Sequence, residues 1–415
     1  MADSWTYILY GVLFFAMYVQ VFFLLSFLKN RKTLFGGNEK QSSFNDLPSI
    51  SIIVPCWNEE KNVVATVDSL LTIKYPKDKL YILVVDDGST DATWEKMQTF
   101  QNTPQVKLFQ KENGGKHTAL NLALLHTTTE LVASIDADTV LDANALIEIV
   151  RYFKSTNTAA VGGTVLIGSP SSIAQRAQSV EYQMYSYTKK MFGLLKGVLV
   201  VPGAFSVFRT EAIRSVGGYR QGNNLEDLEL TFRMQTHKLS VDHCHTAIAY
   251  TKGPSSITSL FKQRLRWSRG FLGNIIEYKK TIFNKKFGHF GMFTVPTGII
   301  TYFVILYVFV FSWVYMSTFL WQQAVKISLV GFHAKDILSF WKWDPFFFDS
   351  RAIAFIIPVL YLFLVFSIWV GNRLSQQKFR IKSFAWFVII YSFLPPFWIM
   401  KSLYYTCRSK MPSWR

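Results

Sequence analysis

Leu131-Val132-Ala133-Ser134-Ile135-Asp136-Ala137-Asp138 decides the fold: a short apolar run passes straight into two carboxylates. A run of that length and composition predicts a strand buried on both faces. The same pattern recurs upstream at Ile50–Pro55, at Leu80–Val85 ahead of Asp86-Asp87-Gly88-Ser89-Thr90-Asp91, and at Val106–Phe109. Helical patterns separate these runs. One spans Glu59 to Leu71, with Asn58 as its cap and two acids in its first turn. A second lies near Trp94, and a third runs from Lys116 to Leu125. Strands alternating with helices predict an α/β domain with parallel pairing and right-handed crossovers. In such open sheets a ligand sits beyond the carboxyl ends of the strands. Asp86-Asp87 and Asp136-x-Asp138 both fall at such ends.

Outside this region the chain becomes apolar. Of 415 residues, 50% are hydrophobic and 17% charged, against about 25% charged in an average soluble domain. Trp5–Leu28 carries no charged side chain, and about 20 helical residues cross a bilayer core. The run is too long for a signal-peptide core. Asp3 precedes it and Lys29, Arg31 and Lys32 follow, so the positive-inside rule puts the next domain in the cytosol. Further apolar spans are Phe293–Trp321, Ala352–Val370 and Ser383–Met400, the last broken by Pro395-Pro396. This count of one span before the domain and three after it places the basic tail (Lys401, Arg408, Lys410, Arg415) outside, against that rule. A re-entrant bend at the proline pair returns it inside, and both topologies stay open. The net charge of +17 fits anionic lipid headgroups and a phosphate-bearing ligand; no nucleic-acid module is recognisable. Cys56, Cys244 and Cys407 are scattered, which indicates neither a disulfide framework nor a zinc cluster.

Within the domain, Asp136 and Asp138 are two residues apart, so in an extended segment they point the same way. Two such carboxylates can hold Mg²⁺ or Mn²⁺, which bridge to a diphosphate; the bland alternative is a surface turn. Asp86-Asp87-Gly88-Ser89 offers a carboxylate for a pyrimidine imide N–H and a glycine for close backbone approach, or an ordinary Asx turn. Asn113-Gly114-Gly115-Lys116 combines backbone amides with an ammonium ahead of a helix, which suits phosphate; its spacing is not that of a P-loop. Glu226-Asp227 precedes a helix-like Leu228–Met234. One of the two acids is a candidate general base, and both also complement a helix dipole. Gln263-Arg264-Leu265-Arg266-Trp267 lies in a basic, aromatic stretch, Phe261–Phe271, read as an amphipathic helix on the membrane surface.

The order of these motifs (Asp-Asp-Gly-Ser, Asp-x-Asp, Glu-Asp, then Gln-x-x-Arg-Trp, between membrane helices) resembles the processive family 2 glycosyltransferases, which include cellulose, hyaluronan, chitin and poly-N-acetylglucosamine synthases. The resemblance covers about Pro48 to Gly270. It implies a GT-A type nucleotide-sugar-binding domain, flanked by transmembrane helices and amphipathic interface helices. It also implies a role for each matching residue. Asp87, supported by Asp86, contacts uracil. Lys116 and Arg266 meet the diphosphate, and Asp136 and Asp138 hold the metal and donor. Asp227 is the catalytic base, while Gly203, Glu226, Gln263 and Trp267 serve the acceptor. Two departures stand out. Leu225 occupies the threonine position of the family's Thr-Glu-Asp motif, and Pro202 stands where many relatives carry serine or cysteine.

The resulting expectation is a multi-pass protein of the cell (inner) membrane with a cytosolic catalytic domain. Residues 1–32 form the first membrane helix and its basic flank, 33–47 a linker, 48–255 the GT-A domain, 256–290 interface helices and 291–415 the C-terminal membrane region. The reaction implied is inverting transfer from a UDP-sugar to a growing β-linked polysaccharide, dependent on Mg²⁺ or Mn²⁺. The stretch Phe261–Gly270 and the pattern Gly203, Phe205, Phe208 resemble the poly-N-acetylglucosamine synthases most. Asp227-Leu228 stands where hyaluronan and chitin-oligosaccharide synthases usually have Asp-Arg. UDP-N-acetylglucosamine is therefore the first expected donor and UDP-glucose the second. The alternatives are a non-processive transferase acting on a lipid acceptor, and a membrane transporter or scaffold that only senses nucleotides. A chain with about four spans also leaves room for an accessory or export subunit or a second copy in the translocation path.

Overall fold

The structure, a computed structural model, describes residues 4–35, 47–154, 157–331 and 352–408. The expected linker Gly36–Asn45 and the tail residues Lys410 and Arg415 lie outside them. Two compact units form: residues 1–25 with 299–366, and residues 26–298 with 367–415.

Among the described residues, eight strands make one sheet in the order β3-β2-β1-β4-β7-β6-β8-β5. These are β1 (Ile50–Cys56), β2 (Leu80–Asp87), β3 (Val106–Lys111), β4 (Leu131–Ile135), β5 (Val140–Leu141), β6 (Thr158–Ile167), β7 (Phe205–Arg209) and β8 (Ser240–Thr251). The helices of the sheet domain are α2 (Val63–Leu71), α3 (Thr93–Gln98), α4 (Lys116–Leu125), α5 (Ala145–Val150), α6 (Ile173–Leu194), α7 (Thr210–Ser215), α8 (Glu226–Thr236) and α9 (Ile257–Glu277). The expected parallel pairing holds for β1 with β2 and β4, and for β2 with β3. Ile50, Ile52, Ile53 and Val54 are wholly buried, which is why this strand carries no alternating polar face.

The sheet is mixed, because β7 runs antiparallel to both β4 and β6. The chain enters β7 from the carboxyl edge of the first four strands, with Phe205 opposite Ile135. That reversal sets Pro202-Gly203-Ala204 beside Asp136, where a parallel strand would have carried them to the far edge.

One expected element starts later. Asn58 does not cap a helix; its φ is +55°, which breaks helical geometry, and α2 begins at Val63. Asn58 instead joins two strand ends. Its N–H donates to Ser89 Oγ at 2.9 Å, and its Oδ1 accepts from Thr90 N at 2.9 Å.

The apolar runs form α1 (Ser4–Phe35), α10 (Val295–Val330), α11 (Ala352–Leu374), α12 (Ile381–Phe393) and α13 (Pro395–Cys407). Ser4–Lys32, Phe290–Leu329 and Phe355–Leu374 are each long and apolar enough to cross a membrane. Twenty helical residues rise about 30 Å, the thickness of a bilayer core, so these helices mark a membrane protein. The helices α12 and α13 are bent by 42° where Pro395 cannot continue the helix hydrogen bonding. Such a pair is a broken span or a re-entrant loop, the two topologies the sequence leaves open. In the unit of residues 1–25 and 299–366, Leu9, Val12 and Leu13 pack against Tyr307.

Candidate active site

The carboxyl edge of the sheet collects the expected acids. Asp86 and Asp87 close β2 and are 0% and 3% exposed. Asp86 accepts from Ser89 N at 3.1 Å and Gln110 Nε2 at 3.2 Å, which makes it a brace for its neighbour. Asp87 Oδ1 accepts from Lys111 Nζ at 2.6 Å and Gly114 N at 3.1 Å. These bonds all fall on one oxygen, leaving Oδ2 as a free acceptor. Gly88, at φ +69°, allows the turn, and a Cβ there would lie 2.6 Å from Asn113 N. The β2–α3 and β3–α4 loops can therefore meet only over a glycine. Lys111 was missed by sequence reading. Its signal was its place at the end of β3, one strand from Asp87.

Lys116 opens α4 at the centre of the cleft. Its Nζ binds Asp136 Oδ1 at 2.6 Å and Glu226 Oε1 at 2.7 Å. Enclosure alone would lower the lysine's pKa, but Asp136, Glu226 and Asp227 together hold it well above the usual range. An ammonium has three donors, so one remains for a ligand oxygen. Gly203 sits over the cluster. A Cβ there would lie 3.0 Å from Lys116 Nζ, 3.3 Å from Asp227 Oδ2 and 3.5 Å from Glu226 Oε1, so a side chain would intrude among the charges.

Asp227 is held by backbone donors: Gly203 N to Oδ2 at 2.9 Å and Leu228 N to Oδ1 at 2.8 Å. The residue is partly buried. Burial first, then the Glu226 charge, pushes its carboxyl up to about 6, while Lys116 acts in the opposite sense. Arg266 on α9 faces the same acids. Enclosure lowers its pKa, and Glu226, Asp227 and Asp136 counter that. A cleft of about 320 Å³ is lined by Asn113, Gly114, Gly115, Lys116, His117, Gln221 and Glu226. His117 and Gln221 were not singled out from sequence, because each is unremarkable until the two loops face each other.

Asp138 accepts from Thr251 Oγ1 at 3.2 Å. Burial raises its carboxyl to about 6, with Asp136 and Glu59 adding to the rise. Among the described residues no group of three or more His, Cys, Asp or Glu converges as a closed metal cage. Asp136 and Asp138 still fit a hard divalent cation that takes its remaining ligands from phosphate and water. The cation would also relieve the mutual repulsion that raises Asp138.

The helix α9 is amphipathic as expected, but its basic residues are not all directed outward. Arg264 and Arg269 are buried, and Arg264 is ion-paired with Glu181 of α6. Gln263 Oε1 accepts from Gln178 Nε2 at 2.8 Å. Trp267 lies against Arg264, whose guanidinium carbon is 4.2 Å from the ring centroid. Leu225 packs on the same helix: a Cβ at Gly270 would lie 2.5 Å from Leu225 Cδ1, and one at Gly273 would lie 2.6 Å from Asn223 Cγ. The Glu226-Asp227 loop thus rests on a glycine face of α9, with leucine filling the contact.

Known proteins similar to this chain identify its family. Residues 48–270 match the family described as Glycosyltransferase like family 2. The chain is 27% identical over 324 residues to the poly-beta-1,6-N-acetyl-D-glucosamine synthase of Staphylococcus epidermidis, covering 76% of this chain and 74% of that protein. The protein of the same name from Staphylococcus aureus (strain COL) is 26% identical over 266 residues, covering 62% and 64%. The solved mannosyltransferase PcManGT from Pyrobaculum calidifontis, in complex with GDP-Man and Mn²⁺, superposes with a TM-score of 0.61 at 16% identity, over 97% of this chain and 99% of that one. At that identity the likeness is one of fold, which is GT-A-like. The family match takes in every strand of the sheet and extends through α9 to Gly270, and on it this chain belongs to the family 2 glycosyltransferases.

Proposed function

We propose that the protein is a membrane-bound, inverting, processive glycosyltransferase that moves N-acetylglucosamine from its UDP donor to a growing β-linked polysaccharide. The catalytic domain comprises residues 48–255 and faces the cytosol. Residues 256–290 form the membrane-interface segment and 291–415 the C-terminal membrane region. The observation that carries this reading is the convergence of Asp136, Gly203, Glu226 and Asp227 around Lys116. The choice of sugar is supported by the names of the staphylococcal relatives.

In this reading Asp87 Oδ2 receives the uracil imide N–H. The third donor of Lys116, together with Arg266, binds the diphosphate. Asp136 and Asp138 would hold Mg²⁺ or Mn²⁺, which when bound offsets charge on the departing diphosphate. Asp227 takes the proton as the acceptor O–H bond breaks. The acceptor oxygen bonds to the anomeric carbon, and the electron pair of the old bond leaves with UDP. Attack opposite the leaving group inverts an α-linked donor to a β-linkage. Trp267 stacks under the acceptor sugar and holds it at attack distance.

The test is incorporation of radiolabelled sugar by the purified protein in detergent, with UDP-N-acetylglucosamine and UDP-glucose in parallel. Expected is high-molecular-weight label from UDP-N-acetylglucosamine, lost on adding a chelator and restored by Mn²⁺ or Mg²⁺. Label from UDP-glucose alone overturns the choice of sugar, and a short glycolipid product overturns processivity.

The Leu225 contact gives a second expectation. Gly270→Ala adds about 1 kcal/mol of helix propensity but overpacks Leu225 at a cost of about 1–3 kcal/mol. Because Leu225 directly precedes Glu226, turnover falls roughly tenfold. Adding Leu225→Ala to Gly270→Ala brings turnover back to within about threefold of the starting protein, since the second change makes room for the first. Steady-state rates of the two variants check this.

A further inference from the structure

Apart from the cleft, α6, α9 and α12 bury a second charged constellation that the transfer step does not use. Glu181 and Arg264 are 4% and 5% exposed, and Arg264 Nη2 donates to Glu181 Oε2. The same carboxylate accepts from Tyr185 OH at 2.9 Å and from Tyr391 OH, on α12, at 2.6 Å. The guanidinium lies over the Trp267 ring at 4.2 Å. A buried ion pair is weak evidence for stability, because desolvation offsets its attraction. What it does supply is direction. The planar guanidinium can lie face to face with an indole while its edge bonds a carboxylate. Here the carboxylate is itself fixed by two phenols, one of them on a C-terminal helix.

We infer that Glu181, Arg264 and Tyr391 are positioning residues that set the plane of the Trp267 ring for the acceptor sugar, so that the packing of α12 controls chain extension. This rests on Trp267 serving the acceptor, as proposed above.

The test uses the full chain in detergent with UDP-N-acetylglucosamine, measuring donor KM, turnover into polymer, and product length. Arg264→Lys keeps the charge on Glu181 and loses the planar face. Expected are a roughly tenfold lower turnover and shorter products, with donor KM within about twofold. Tyr391→Phe removes a single hydroxyl and is expected to shorten products about twofold with donor KM unchanged. Trp267→Ala is the control. If that variant makes full-length polymer at the normal rate, the acceptor reading itself fails. If Trp267→Ala is defective while Arg264→Lys behaves as the unmodified protein, the positioning inference fails and the acceptor reading stands. A parallel rise in donor KM in Arg264→Lys also overturns the inference, since it signals general damage to the site. Should Arg264→Lys not purify as a folded protein, Tyr391→Phe decides alone, and unchanged product length overturns the inference.

Discussion

Asp227→Asn is expected to lower sugar transfer by at least about 10²-fold, the lower end of what a general base contributes, while donor binding is retained. The asparagine has the same shape, but its single oxygen can accept from only one of Gly203 N and Leu228 N, the donors that hold the two carboxylate oxygens separately. The variant therefore loses the proton acceptor together with one backbone hydrogen bond, and retained donor binding is the readout that shows the loop is still in place. The pH profile carries the same information. The carboxyl of Asp227 is raised to about 6, and a general base acts only when deprotonated. Activity should thus be full at neutral pH and fall as the pH drops through about 6, well above the pH near 4 of an ordinary carboxylate. The measurement belongs at saturating Mn²⁺ or Mg²⁺, so that Asp138, raised to the same range, stays ionised. Full turnover at pH 5 would remove Asp227 as the base.

Lys116→Met should have the second-largest effect. It removes two charge-assisted contacts, to Asp136 and Glu226. At about 1.5 kcal/mol each, the lower end for hydrogen bonds to charged groups, the loss is about 3 kcal/mol, roughly a hundredfold in rate. A displacement of the pH profile accompanies it. Lys116 lowers the carboxyl of Asp227 against burial and the Glu226 charge, so removing the lysine raises that carboxyl further. The acid limb moves to higher pH, and the rate measured at pH 7 falls more than the rate at pH 8.5. A hundredfold loss with the limb in its original place would mean that Lys116 serves the diphosphate alone and does not tune the base.

The local elements were readable because their signals are local. The strand Leu131–Ile135 and the helix Lys116–Leu125 have the bounds expected from apolar run length and loop composition. The motif order was enough to assign the family. The helix after β1 was placed too early because Asn58 is a good cap by type, and its positive φ follows from a bond to Thr90 thirty-two residues away. The departure at Leu225 was legible in the sequence only as a change of residue type at the threonine position. In the structure it is a packing contact, since the leucine fills space left by Gly270.

By itself the sequence determined the alternation of strand and helix, the apolar segments long enough for a membrane, and the types of residue at the strand ends. These follow from periodicity and from the chemistry of single side chains. Tertiary structure alone decided which charges meet. Asp136 and Glu226 are 90 residues apart, yet Lys116 joins them, because the antiparallel entry of β7 brings Gly203 and α8 to the carboxyl edge of the sheet. It also decided that Arg264 points inward to Glu181. A helical pattern states that a residue lies on one face, and only the packing of α6 and α9 gives that face a partner.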